Sequence, residues 1–136
     1  MAEFDLHSNV KGLIALDVQD ITTNTTTVGN VIDTLGFESL EYMIQSGTIT
    51  DGAYAFLLEE ADVVGFTGSS VVGADETLGV LTGFVAADDD TPLRVGSIGK
   101  KRFQRLSIVS TGTSSGGTNF TSHAVLGHPK SAPTAE

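Results

Sequence analysis

The sequence predicts an all-β protein: a compact β-sandwich or jelly-roll-like barrel of about eight short strands, with extended terminal arms. Three observations carry that expectation. Threonine, valine, isoleucine and glycine dominate the chain, while runs of helix-favouring Lys, Glu, Ala and Leu stay short. Apolar residues recur with a period of two. Turn-forming clusters of Gly, Asn, Asp and Ser interrupt those runs at the short intervals typical of sandwiches and barrels.

The first expected strand covers residues 10–18, and the polar run 20–27 separates it from a second around residues 28–35. In residues 39–46, Leu40, Tyr42 and Ile44 share one face while Glu41, Met43 and Gln45 share the other, as a half-buried strand requires. In residues 53–60, Tyr54, Phe56 and Leu58 alternate with Ala53, Ala55 and Leu57. The linker Gly47-Thr-Ile-Thr-Asp-Gly52 supplies glycines and an Asp-Gly pair suited to positive φ, so residues 39–60 read as a β-hairpin. Residues 62–90 scatter Gly65, Gly68, Gly73, Gly79 and Gly83 among short apolar pieces, which predicts short strands or an extended arm. Residues 94–98 lead to a second expected hairpin, 102–127, whose two alternating runs flank a Gly/Ser/Thr turn.

A chain of 136 residues supports one domain, and at this size folding buries roughly two-thirds of the unfolded chain's surface. Residues 1–127 are the expected sandwich domain. Residues 128–136, with Pro129 and Pro133 among small residues, are an expected extended C-terminal tail. Without cysteine there is neither a disulfide framework nor a thiolate metal site. The net charge of −10, from 17 acidic and 7 basic residues, opposes polyphosphate, so nucleic acid is not an expected partner. The acidic start lacks the basic region of a secretory signal, and no apolar window is long enough to cross a bilayer, so no membrane partner is expected. Asn24-Thr-Thr26 and Asn119-Phe-Thr121 fit the glycosylation pattern, as chance matches do in a threonine-rich chain.

Motifs with catalytic or metal-binding form fail on context. Gly112-Thr-Ser-Ser-Gly116 fits the hydrolase elbow pattern, with His123 close behind, but an elbow needs a strand turning into a helix and Ser114 lies between two strands. His7, His123 and His128 lack the spacings that build a metal site on one element. Asp88-Asp-Asp90 lacks the spaced carboxylates and glycine of a calcium loop, and Glu59, Glu60 and Asp62 on neighbouring strand positions alternate in direction. No cofactor and no enzymatic activity are therefore expected. A carbohydrate-binding module would also be a small sandwich, but it presents aromatic platforms, and this chain has no tryptophan.

One electrostatic feature stands out. Lys100, Lys101, Arg102 and Arg105 place four of the seven basic residues within six positions. This segment is an expected docking surface for an acidic patch on a partner or on another copy, together with His128, Pro129 and Lys130 at the start of the tail.

The chain also carries a family resemblance. It lies in Gly36-Phe-Glu-Ser-Leu-Glu41, Ser46-Gly-Thr-Ile-Thr-Asp-Gly52, Leu57-Leu-Glu-Glu60, the stretch from Gly99 to Thr111, and Thr118 to Gly127 with the His-Pro tail. In that order these segments resemble a family of small virion proteins of tailed bacteriophages. The resemblance implies a capsid decoration, or cement, protein made in the bacterial host cytoplasm and bound to the outside of the major capsid protein lattice. It further implies a homotrimer, with a head-tail connector or tail component as the alternative virion role.

Overall fold

Period-two alternation resolves into two antiparallel sheets packed face to face. The computed structural model of the protein describes residues 5–134, so the first four residues of the expected domain and the last two of the expected tail lie outside the described residues. A one-turn helix α1 (Leu6–Asn9), capped by the Asp5 carboxylate, precedes β1 (Val10–Ile21). Then come β2 (Thr26–Val28), β3 (Ile32–Asp33), β4 (Phe37–Ser46), β5 (Ala53–Ala61), β6 (Ser70–Val71), β7 (Thr77–Leu78), β8 (Pro92–Ser97), β9 (Phe103–Thr111) and β10 (Thr118–Pro129). One sheet has the order β1-β10-β4-β8-β7, the other β2-β9-β5-β6, with β3 also paired to β9. The all-β sandwich expected from the sequence is what the chain forms. The expected second strand is split into β2 and β3, and the region 62–90 contributes only the two-residue strands β6 and β7.

Both expected hairpins are corrected. β4 lies beside β10 and β8, whereas β5 lies in the opposite sheet beside β9, so residues 47–52 cross between sheets. Residues 112–117 do the same between β9 and β10. Alternation alone cannot separate the two cases, because a strand buries one face whether its sequence neighbour pairs with it or packs opposite it. Six-residue links are long enough to span the roughly 10 Å between packed sheets.

The true pairing is between distant segments. Ser46 to Ser39 pair with Phe120 to Gly127, and Ala53 to Ala61 pair with Thr111 to Phe103. The corner holds this register through the bonds Gly47 N to Asn119 O (2.9 Å) and Thr50 N to Gly117 O (3.1 Å). Residues 37–61 and 103–129 thus form one long two-stranded ribbon folded over on itself, which is what gives the sandwich its jelly-roll character.

Inward residues fill the space between the sheets. Leu40, Tyr42 and Ile44 of β4 face Leu58, Leu106 and Ile108 of the other sheet within one buried cluster. At its centre the rings of Tyr54 and Phe120 lie 5.0 Å apart, and Phe56 meets Phe84 edge-on at 5.2 Å. Burial of each such side chain contributes about 1.5–3 kcal/mol. Along one side the sheets are stitched by Gly29 N to Leu106 O (2.9 Å) and Asn30 N to Ala15 O (2.7 Å). A Cβ on Gly29 would overlap both carbonyl oxygens, so only glycine fits this seam.

The start expected for the tail, His128, falls inside β10, and Pro129 still pairs with Phe37. Beyond it the chain folds back onto the domain: Lys130 N donates to Gly36 O, and Thr134 N donates to Ser8 O.

Candidate functional site

The expected basic docking segment is not a bare positive patch. Arg102 leaves the loop before β9 and makes a bidentate pair with Asp33, Nε to Oδ1 at 2.8 Å and Nη2 to Oδ2 at 2.7 Å. That hydrogen-bonded guanidinium holds the Asp33 carboxyl below its ordinary pKa. Lys100 meets Glu76 at 3.1 Å, and Lys101 reaches Asp62 at 3.9 Å. Arg105 points outward from β9 to Glu59, its partner across the β5–β9 ladder, at 2.9 Å, and its guanidinium lies 4.2 Å from the centre of the Phe66 ring. Phe66 is itself buried with φ of 58°, so the loop after β5 is folded down over the arginine. The four cations are therefore occupied within the chain, a consequence of an acidic background that composition shows but pairing alone reveals.

Ser114 and His123 are not brought together. Ser114 lies in the arch between β9 and β10, where its backbone N–H donates to Asp51 Oδ2 at 2.9 Å, and Ser115 N donates to the same oxygen at 2.8 Å. These donors hold the Asp51 carboxyl below its ordinary pKa and tie the two arches together. His123 sits outward on β10, opposite Met43 and Ile14. Among the described residues no three His, Asp or Glu side chains converge as metal ligands.

A broad apolar recess lies on the outward face of the β1-β10-β4-β8-β7 sheet. It encloses about 680 Å³. Val125 and Gly127 of β10 and Ser39 and Glu41 of β4 form its floor, Leu6 of α1 one flank, and Leu78 and Ile98 the other. Glycines deepen it: a Cβ on Gly127 would press on Ser39 Oγ at 2.8 Å, and one on Gly96 would meet Glu41 Oε2 at 2.8 Å. The flanks are apolar yet open, with Leu6 73%, Leu78 60% and Ile98 52% exposed. His128 and Pro129 close one end, where His128 Nδ1 shares a 2.9 Å hydrogen bond with Ser39 Oγ and adopts φ of 50°. Of the residues expected from sequence to bind a partner, His128 and Pro129 line this recess, while Lys130 lies just beyond it. Leu6, Leu78 and Ile98 carry no periodic signal, since Leu6 and Leu78 stand in very short elements and Ile98 in the loop after β8, each beside glycine or polar residues.

No family model matches the chain, and no curated protein matches it. Among solved structures it is similar to the VP2 subviral particle of infectious bursal disease virus, at 15% identity and a TM-score of 0.45, over 91% of this chain and 33% of that one. The Gt strain of the same virus gives 17% identity and a TM-score of 0.43, over 91% and 34%. The CBM22-1-GH10 modules of Clostridium thermocellum xylanase 10B, complexed with xylohexaose, give 9% identity and a TM-score of 0.42, over 96% and 29%. The chain spans about a third of the length of these structures, and likenesses this distant do not speak to what it binds.

Proposed function

We propose that the protein is a structural component of a virus particle, a decoration protein that binds the outside of a tailed-phage capsid and clamps neighbouring capsomers. The observation that carries the reading is the apolar recess on an outward sheet face, open to solvent and built on a rigid double sheet. Exposed apolar patches rimmed by polar groups mark protein contact sites. The sequence resemblance to small phage virion proteins supplies the partner, the major capsid protein, and the trimeric assembly. The mechanism is passive: repeated weak contacts across a lattice add to a strong clamp, with no chemical turnover.

The exposed apolar side chains around the recess are aliphatic, and every Phe and Tyr of the described residues is buried or half-buried. That arrangement favours a protein surface over a sugar, which stacks on open rings. Co-sedimentation with expanded shells lacking the protein tests the proposal. Saturable attachment at many copies per shell, lost in the Leu78→Asp, Ile98→Asp double variant, is the expected result. Attachment confined to one vertex would point to the connector role, and no attachment would refute both.

A further inference from the structure

Five of the chain's seven cations are paired with carboxylates: Arg94 with Glu41, and the four of the basic segment with Glu76, Asp62, Asp33 and Glu59. The remaining two, Lys11 and Lys130, make no ion pair among the described residues. They come from opposite ends of the chain yet line the same cleft of about 290 Å³. Its floor and walls are Phe37, Pro129, Pro133 and Thr134. The cleft is preformed, because the returning tail is fixed by Lys130 N to Gly36 O at 2.8 Å, Thr134 N to Ser8 O at 3.0 Å and Thr134 Oγ1 to Val10 O at 2.8 Å. It adjoins the apolar recess through Pro129, which lines both.

In a chain of net charge −10, two lysines that line one cleft and form no ion pair among the described residues are a local reversal of the molecule's field. At physiological salt, charges act over about 8 Å, so a carboxylate that enters the cleft feels the two lysines lining it more strongly than acidic groups beyond that range. The volume suits a side chain with its neighbouring backbone, and the phenyl and proline rings suit an apolar group beside it. A long polyanion is disfavoured by the surrounding charge. We propose that the cleft docks an extended acidic segment of a partner protein, with a carboxylate held by Lys11 and Lys130 and an adjacent apolar side chain on Phe37 and the prolines. The proposal rests on the capsid-docking reading for who that partner is, and adds the chemistry of the segment recognised.

The test uses the full chain and a fluorescein-labelled peptide, Gly-Asp-Leu-Asp-Leu-Gly, with an Asn-for-Asp version as control, followed by anisotropy at low and physiological salt. Saturable binding of the acidic peptide is expected, weakened by salt and reduced about tenfold in a Lys11→Gln, Lys130→Gln variant shown to be folded by circular dichroism. Lys100→Gln should leave it unchanged, since that cation is already paired with Glu76. Equal binding of the Asn peptide, indifference to the double variant, or no binding at low salt would overturn the proposal. So would a self-association of the parent that the double variant abolishes, because the occupant would then be a second copy. Shell co-sedimentation separates the two readings: peptide binding without shell attachment refutes the capsid role alone, and shell attachment without peptide binding refutes the acidic-segment cleft alone.

Discussion

The two tyrosines of this chain should respond oppositely to loss of their hydroxyls. Tyr42 is fully buried on the inward face of β4, and its hydroxyl has no hydrogen-bond partner among the described residues. Tyr54 is also buried, but its hydroxyl donates to Asp51 O at 3.0 Å. A buried hydroxyl without a partner costs about 1–3 kcal/mol. Removing one oxygen leaves a void of roughly 10 Å³, which at about 24 cal/mol per Å³ takes back only ~0.2 kcal/mol. Tyr42→Phe should therefore stabilise the protein by about 1–2 kcal/mol, whereas Tyr54→Phe should destabilise it by about 1 kcal/mol. Urea unfolding followed by circular dichroism measures both, the chain having no tryptophan to report by fluorescence. The slopes should stay at the parent value while the midpoints move apart. Burial also pushes the Tyr42 phenol up. Because the folded pKa is raised, its contribution is whole below the unfolded value of about 10 and declines as pH rises through that value toward the folded one. The Tyr42→Phe variant should lack that alkaline component. A Tyr42→Phe protein less stable than the parent, with an unchanged slope, would refute the reasoning and mean the hydroxyl is satisfied in solution.

Two further expectations follow from the seam and the corner. Gly29→Ala drives a methyl into the carbonyl oxygens of Leu106 and Ala15 and should cost about 3 kcal/mol or more, while Gly12→Ala on the open outward face should change stability by less than about 0.5 kcal/mol; equal midpoints for the two would show that the seam is not tight. Asp51, with its pKa lowered chiefly by the backbone N–H groups of Ser114 and Ser115, stabilises the fold above the unfolded carboxyl value of about 3.9, and that stabilisation is lost as pH falls through the lower folded value. Asp51→Asn should flatten the acid limb of a stability profile measured between about pH 6 and pH 2, and an unchanged limb would mean the arches are held by their other bonds.

The strands were legible because burial imposes a period that survives in sequence: Leu40, Tyr42 and Ile44 are inward as their spacing demands. Which strand lies beside which was not, because pairing partners leave no mark on alternation, and both expected hairpins proved to be crossings. The candidate site was legible only at its rim. His128 and Pro129 line the recess, but Leu6, Leu78 and Ile98 are single apolar residues in short elements or a loop, gathered by topology rather than by any local pattern. The basic segment shows the converse case. Its charges are evident in sequence, yet Asp33, Glu59, Asp62 and Glu76, which neutralise them, lie 24 to 69 positions away. Lys11 gave no signal, being one cation within an ordinary strand.

The folded ribbon has a consequence for synthesis. Residues 37–61 leave the ribosome well before residues 103–129, with which they pair. Until then two strands stand with open edges, and the native ladder forms only when the intervening stretch, residues 62–102, closes as a loop. Nascent chains in this state are vulnerable to aggregation and to proteolysis, and their rescue depends on the synthesis of β9 and β10 rather than on folding segment by segment. A ribosome stalled within the last strand should therefore hold a chain that is sensitive to protease along nearly its whole length, with protection arriving abruptly once β10 is free.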